Sequence, residues 1–161
     1  MLKLIGILFE LTLIYLRIKP IKLVYEKVRV GQFLKFIRLL MHKTKGSGSL
    51  FIENNGSDKC IVFNKLDIEG ETYLSLVLPI APWSTQYVSK FKDSLSSENI
   101  PYELVDANDE AKSFLKGYVT VFGLPNVRYA RKVAEMAVKV LDIQRDEYFT
   151  LRFVQNEQSE T

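Results

Sequence analysis

Apolar residues along this chain recur with three spacings, and each spacing predicts a different element. Residues 1–18, MLKLIGILFELTLIYLRI, are apolar on nearly every side. Their charges, Lys3, Glu10 and Arg17, are seven residues apart, so on a helix they drift only about 20° per step and form one narrow stripe. Pro20 lacks a donor and biases Lys19 away from helical geometry, which ends the segment there. Ile21 to Val30 is rich in Val and has no clean period; it reads equally as helix or strand. After Gly31 the spacing of Phe33, Phe36, Ile37 and Leu40 predicts an amphipathic helix over 32–43, with Lys35, Arg38 and His42 along another side.

Beyond Ser49 the period shortens to two. Strands are expected at 50–54 and 59–66, flanking Asn54-Asn55-Gly56-Ser57, where Asn-Gly would supply the positive φ of a tight hairpin. Asp67 to Glu71 makes the next turn, and 72–80 places Leu74, Leu76, Leu78 and Ile80 on one side. Ala81-Pro82-Trp83-Ser84 stops that strand. Ser84 is the expected N-cap of a helix whose apolar face is Tyr87, Val88, Phe91 and Leu95. Pro101 precedes a short strand at 102–105, and Gly117 precedes another at 118–122. Between them 108–115 suits a helical turn, with Asp109 and Glu110 near its start. Pro125 and Asn126 introduce the last helix, where Ala130, Val133, Ala134, Ala137, Val138 and Leu141 form a stripe small enough to sit close to a sheet. Residues 148–154 close the pattern with Phe149, Leu151 and Phe153 inward, and the tail 155–161 is polar.

The expected order, α-βββ-α-ββ-α-β behind the apolar N-terminal helix, is that of an α+β two-layer sandwich: a largely antiparallel sheet with helices on one face. Four segments follow: 1–19, an apolar helix; 20–48, a basic neck with its amphipathic helix; 49–154, the α+β binding domain; 155–161, the tail. Residues 72–154 alone read βαββαβ, the ferredoxin-like order, but that topology flanks its first strand on both sides. It leaves no place for 59–66, whose short turn wants to pair it with 72–80. The order over 33–154, with the junction Leu78-Pro79-Ile80-Ala81-Pro82-Trp83-Ser84 after the third strand, resembles the type III secretion chaperone-like fold, which also occurs in bacterial sensory-regulator-like domains. The resemblance implies a small, often dimeric binding module that engages extended client segments. This chain departs from the pattern in its apolar N-terminus, its basic neck and an extra terminal strand.

At 161 residues and 47% hydrophobic content the chain holds one domain with a real core plus an appendage. A net charge of +3 conceals a split. From Arg17 to Lys45 nine Lys and Arg face one acid, Glu26, whereas residues 46–161 carry twelve against seventeen. The basic residues Arg17, Lys19, Lys22, Lys35, Arg38, Lys43 and Lys45 thus suit an anionic membrane surface, where each contributes roughly 1 kcal/mol, or an acidic protein. The acidic remainder opposes nucleic acid. A lone Cys60 forms no internal disulfide and fits a cytosolic domain. Asn55-Gly56-Ser57 matches a glycosylation sequon but reads as a plain turn.

Three placements suit the N-terminal segment, whose contact residues would be Leu4, Ile5, Leu8, Phe9, Leu11, Ile14 and Tyr15. As a helix, 2–18 spans roughly 25 Å against a hydrocarbon core of about 30 Å. Glu10 at mid-depth would cost roughly 2 to 4 kcal/mol. Were it to cross, the basic residues that follow would hold the domain on the cytoplasmic side. The second placement is along the interface, with Lys3, Glu10 and Arg17 toward water; the third is against a partner subunit or the domain itself. No small-residue cleavage site follows Leu16, so a signal peptide is not indicated.

No set of residues in the sequence forms a recognisable catalytic constellation. His42 is the single histidine, which excludes His-pair metal sites and histidine-assisted triads. Lys45-Gly46-Ser47-Gly48-Ser49 precedes a strand rather than following one and lacks the Gly-Lys-Ser/Thr ending of a phosphate loop. Asp67/Glu69/Glu71 and Asp106/Asp109/Glu110 fall in turns where acids are ordinarily solvated, and Arg128, Arg131 and Lys132 read as a solvated face. Trp83 is a candidate recognition aromatic at a corner that commonly buries one. The expectation is therefore a non-enzymatic, membrane-associated adaptor or accessory subunit without metal or cofactor, its domain on the cytoplasmic face and bound to a protein partner. The alternative is a soluble chaperone-like module or complex subunit whose N-terminal helix packs into a partner, with a homo-oligomer among the arrangements.

Overall fold

A computed structural model describes residues 21–43, 48–105, 118–124 and 127–155. The apolar segment 1–18, the turn at 108–115 and the tail from 156 onward lie outside the described residues. The elements are β1 (Ile21–Arg29), a 3-10 turn (Val30–Gln32), α1 (Phe33–Lys43), β2 (Gly48–Asn54), β3 (Cys60–Ile68), β4 (Glu71–Pro79), α2 (Thr85–Ser97), β5 (Tyr102–Val105), β6 (Tyr118–Leu124), α3 (Val127–Val140) and β7 (Tyr148–Gln155). Seven strands form one sheet in the order β1-β7-β2-β3-β4-β6-β5, with every neighbouring pair antiparallel. This is an α+β architecture.

Register explains which residues make the core, because side chains directly opposite one another share a face. Phe153 lies opposite Leu50, Leu50 opposite Phe63, and Phe63 opposite Leu76. Leu151, Ile52 and Ile61 form the parallel row. These residues are buried in a single cluster with Phe36, Ile37 and Leu40 of α1, Phe91 and Leu95 of α2, and Ala130, Val133 and Ala137 of α3. The three described helices therefore lie on one side of the sheet. The alanines keep α3 close: a small side chain at each turn lets its backbone approach β4 and β6.

The stretch that reads equally as helix or strand is β1, an edge strand added to the outer side of β7. Leu23, Tyr25 and Val28 align with Phe153, Leu151 and Phe149. A bulge at Glu26 and Lys27 corrects the phase, with Lys27 in the left-handed region at φ 54°. Both β1 and α1 belong to the same sandwich as the rest of the domain.

The hairpin between β2 and β3 corrects one expectation. Neither Asn55 nor Gly56 has a positive φ. Five residues separate the strands, enough to turn in ordinary geometry: Asn54 N–H donates to the Lys59 carbonyl at 2.9 Å, and Asn54 Oδ1 accepts the Gly56 N–H at 2.7 Å. The left-handed pair is instead Glu69 (φ 52°) and Gly70 (φ 83°), where only two residues join β3 to β4. A type I′ link of this length has positive φ at both central positions.

Ser84 stands at the N-cap of α2, but its hydroxyl does not cap. It donates to the Pro79 carbonyl at 2.5 Å and accepts the Ala81 N–H at 2.8 Å, tying the end of β4 to the helix start. Both α2 and α3 end in six-to-one bonds, Ile100 N–H to the Leu95 carbonyl and Ile143 N–H to the Val138 carbonyl. Asn99 and Asp142 take the left-handed position that glycine usually fills.

Candidate functional site

Among the described residues, three neighbouring exposed apolar side chains lie on the outer strand β1. Leu23 is 54% exposed, Val24 49% and Tyr25 37%. Three consecutive apolar residues are uncovered because β1 is outermost: Leu23 and Tyr25 look to the helix side, beyond the end of the core, and Val24 to the other. Such an edge is open to pairing with another chain, and the bulge at Glu26 and Lys27 limits how much of it is straight enough to do so.

An aromatic ladder fixes this edge to α1. The Tyr25 ring meets Phe36 edge-on at 4.9 Å between centroids and Phe153 at 6.0 Å, while Phe33 meets Phe149 at 4.9 Å. The Lys35 ammonium lies 5.9 Å from the Phe36 centroid. At the far end of β1, Arg29 donates to the Tyr148 hydroxyl at 3.0 Å, a bond that holds the guanidinium proton more firmly than usual. Lys35 and Arg38 are exposed on α1. The result is an apolar rim bordered by positive charge.

Beside it, a cleft of about 390 Å³ opens between α1 and α3. Its walls are Val30, Phe33, Leu34, Ile37, Ala134 and Val138, and the exposed Arg131–Glu135 pair, 2.7 Å apart, stands at its mouth. Its size is within the range of small-ligand sites.

Of the residues singled out in the sequence, Lys35 comes together with the β1 edge through Phe36, and Arg38 is exposed on the same helix. Lys22 lies in β1 and Lys43 ends α1, each placed here by backbone alone. Leu4, Ile5, Leu8, Phe9, Leu11, Ile14, Tyr15, Arg17, Lys19 and Lys45 lie outside the described residues. Trp83 is half-buried against the core, away from this rim. Asp106, Asp109 and Glu110 are likewise outside the described residues. Among the described residues no group of three or more His, Cys, Asp or Glu side chains converges as metal ligands, and no helix is long and apolar enough to cross a membrane.

Sequence reasoning missed the β1 edge and the cleft. The signal for β1 was present in Leu23-Val24-Tyr25, β-favouring residues followed by a charged pair, but the bulge breaks the alternation that would have marked a strand. The cleft had no sequence signal, since it arises from how two helices splay. Comparison with protein-family models, curated proteins and solved structures found no match.

Proposed function

We propose that this protein is a non-enzymatic, membrane-associated adaptor or accessory subunit. It docks on an anionic membrane surface through its N-terminal segment and the β1–α1 rim, and holds a protein partner with its α+β domain. One observation carries the reading: Leu23 and Tyr25 are exposed on the helix side of β1, the Tyr25 ring meets Phe36, and the Lys35 ammonium lies over that same Phe36 ring, with Arg38 exposed on the same helix. Apolar side chains beside cations on one surface match an anionic lipid interface, where insertion and charge attraction act together. Were residues 1–18 to cross, the basic neck would hold the domain on the cytoplasmic face.

The cleft between α1 and α3 favours the protein-partner half of this reading. Its apolar walls suit a short apolar segment of another protein, as does the chaperone-like element order.

Vesicle flotation tests the proposal. The full chain should float with vesicles containing about a third anionic lipid, and less with neutral ones. A Lys35→Glu/Arg38→Glu variant should float at least several-fold less, and raised salt should act in the same direction. A chain that ignores vesicles of every composition would overturn the membrane role.

A further inference from the structure

We propose that the segment taken by the cleft between α1 and α3 is a short amphipathic helix with acidic flanks, a choice that rests on the reading of this cleft as the protein-binding site. The two helices that wall it differ in charge from the rest of the domain. Three Lys and Arg on α1 and four on α3 stand against a single acid, Glu135, although residues 46–161 as a whole carry more acids than bases. A basic pair of helices on an acidic domain selects an acidic partner.

The cations are placed along the cleft. On α3, Arg128, Arg131, Glu135 and Lys139 follow one another at steps of three and four residues, so they share one side of the helix over about 16 Å. Arg131 and Glu135 on that side line the cleft. From the other wall, the exposed Arg38 follows the lining residue Leu34 by one helical turn. Positive charge spread over two walls matches acids spaced along a segment better than it matches one anionic headgroup.

The space between the walls sets the rest of the ligand. Ala134 offers only a methyl group between Arg131 and Val138, and a methyl at Gly31 would meet nothing within 4 Å, so the trough stays open. A volume of about 390 Å³ takes a few apolar side chains and no more. An amphipathic helix delivers such side chains from one face, at i, i+3 and i+4, and its flanking acids then fall beside the cations. Arg131 can receive one of them. Its side chain and that of Glu135 are 61% and 63% exposed, and an exposed pair of this kind is held weakly. An incoming carboxylate can therefore take the guanidinium while Glu135 turns to water.

Fluorescence polarisation on the purified full chain, without lipid or detergent, tests this with two synthetic peptides of about fifteen residues. One has leucines at i, i+3, i+4 and i+7 and glutamate elsewhere; the other has lysine in place of glutamate. The glutamate peptide should bind at least roughly tenfold more tightly, and raised salt should narrow the gap. Arg131→Gln and Ala134→Leu should each weaken its binding at least several-fold with an unchanged circular dichroism signal. Should Ala134→Leu disturb the fold, Gly31→Leu fills the cleft from its open end and gives the same decision. Equal binding of the two peptides, glutamate-peptide binding that survives filling of the cleft, or its displacement by sodium dodecanoate would each overturn the proposal. Binding of the lysine peptide alone, lost when the cleft is filled, would refute the acidic choice and leave the cleft a protein site; binding of neither would count against both.

Discussion

Ser49 donates its hydroxyl to Asn64 Oδ1 at 2.5 Å across the β2–β3 pair, and both side chains are buried on the face away from the helices. A polar pair at that depth is asymmetric in its energetics: losing one partner strands the other, whereas replacing both removes the need. Ser49→Ala should therefore destabilise the fold by about 1–3 kcal/mol. The double variant Ser49→Ala/Asn64→Leu should lose less than the single. Urea denaturation of the two variants beside the parent chain reads the difference.

Cys60 gives a pH dependence. Burial pushes its thiol up to about 12, helped by the Glu53 carboxylate and opposed by Arg152, which pairs with Glu53 at 2.9 Å. The ordinary value is 9.0. Above that pH the unfolded chain gives up the proton while the folded chain keeps it, so the unfolded state gains. Stability should fall as pH rises from about 9 toward 12, and Cys60→Ala should flatten that slope. At pH 8 the native thiol should react with iodoacetamide at least tenfold more slowly than the denatured one, by mass spectrometry.

Phe36 holds the β1 edge. It is buried between Tyr25 and Phe153, and truncating a buried phenylalanine costs about 3–5 kcal/mol. Phe36→Ala should cost about that much in total. Hydrogen exchange should show the β1 amides losing protection before those of β3 and β4, because β1 has a neighbour on one side only.

Glu69 holds a left-handed backbone that favours Asn or Gly. Glu69→Asn should raise stability by about 0.5–1 kcal/mol without altering the sheet. A higher thermal midpoint with unchanged circular dichroism is the expected result.

These residues also show what the sequence reveals. The three-four spacing of Phe33, Phe36, Ile37 and Leu40, the alanine stripe of α3 and the alternation in β4 were legible because one face of each element is buried by neighbours that do not depend on detail. Turn chemistry was less so. Asn55-Gly56 has the stronger local preference for a left-handed turn, yet Glu69-Gly70 adopts it, since loop length rather than composition decides which link must be tight. β1 was ambiguous because a bulge shifts its phase. The candidate site was half legible: the charge of Lys35 could be read directly, but its setting near Tyr25 depends on the pairing of β1 with β7.

That pairing sets a schedule for synthesis. β7 lies between β1 and β2, so the last of the described strands to be translated is the one that β1 must join. At about 5 to 20 residues per second, roughly 6 to 25 seconds separate the emergence of Arg29 from that of Gln155. Throughout that interval β1 lacks its neighbour among the described strands, and whatever first receives it in the cell, ribosome-bound chaperone or bilayer, meets it before the sheet is complete.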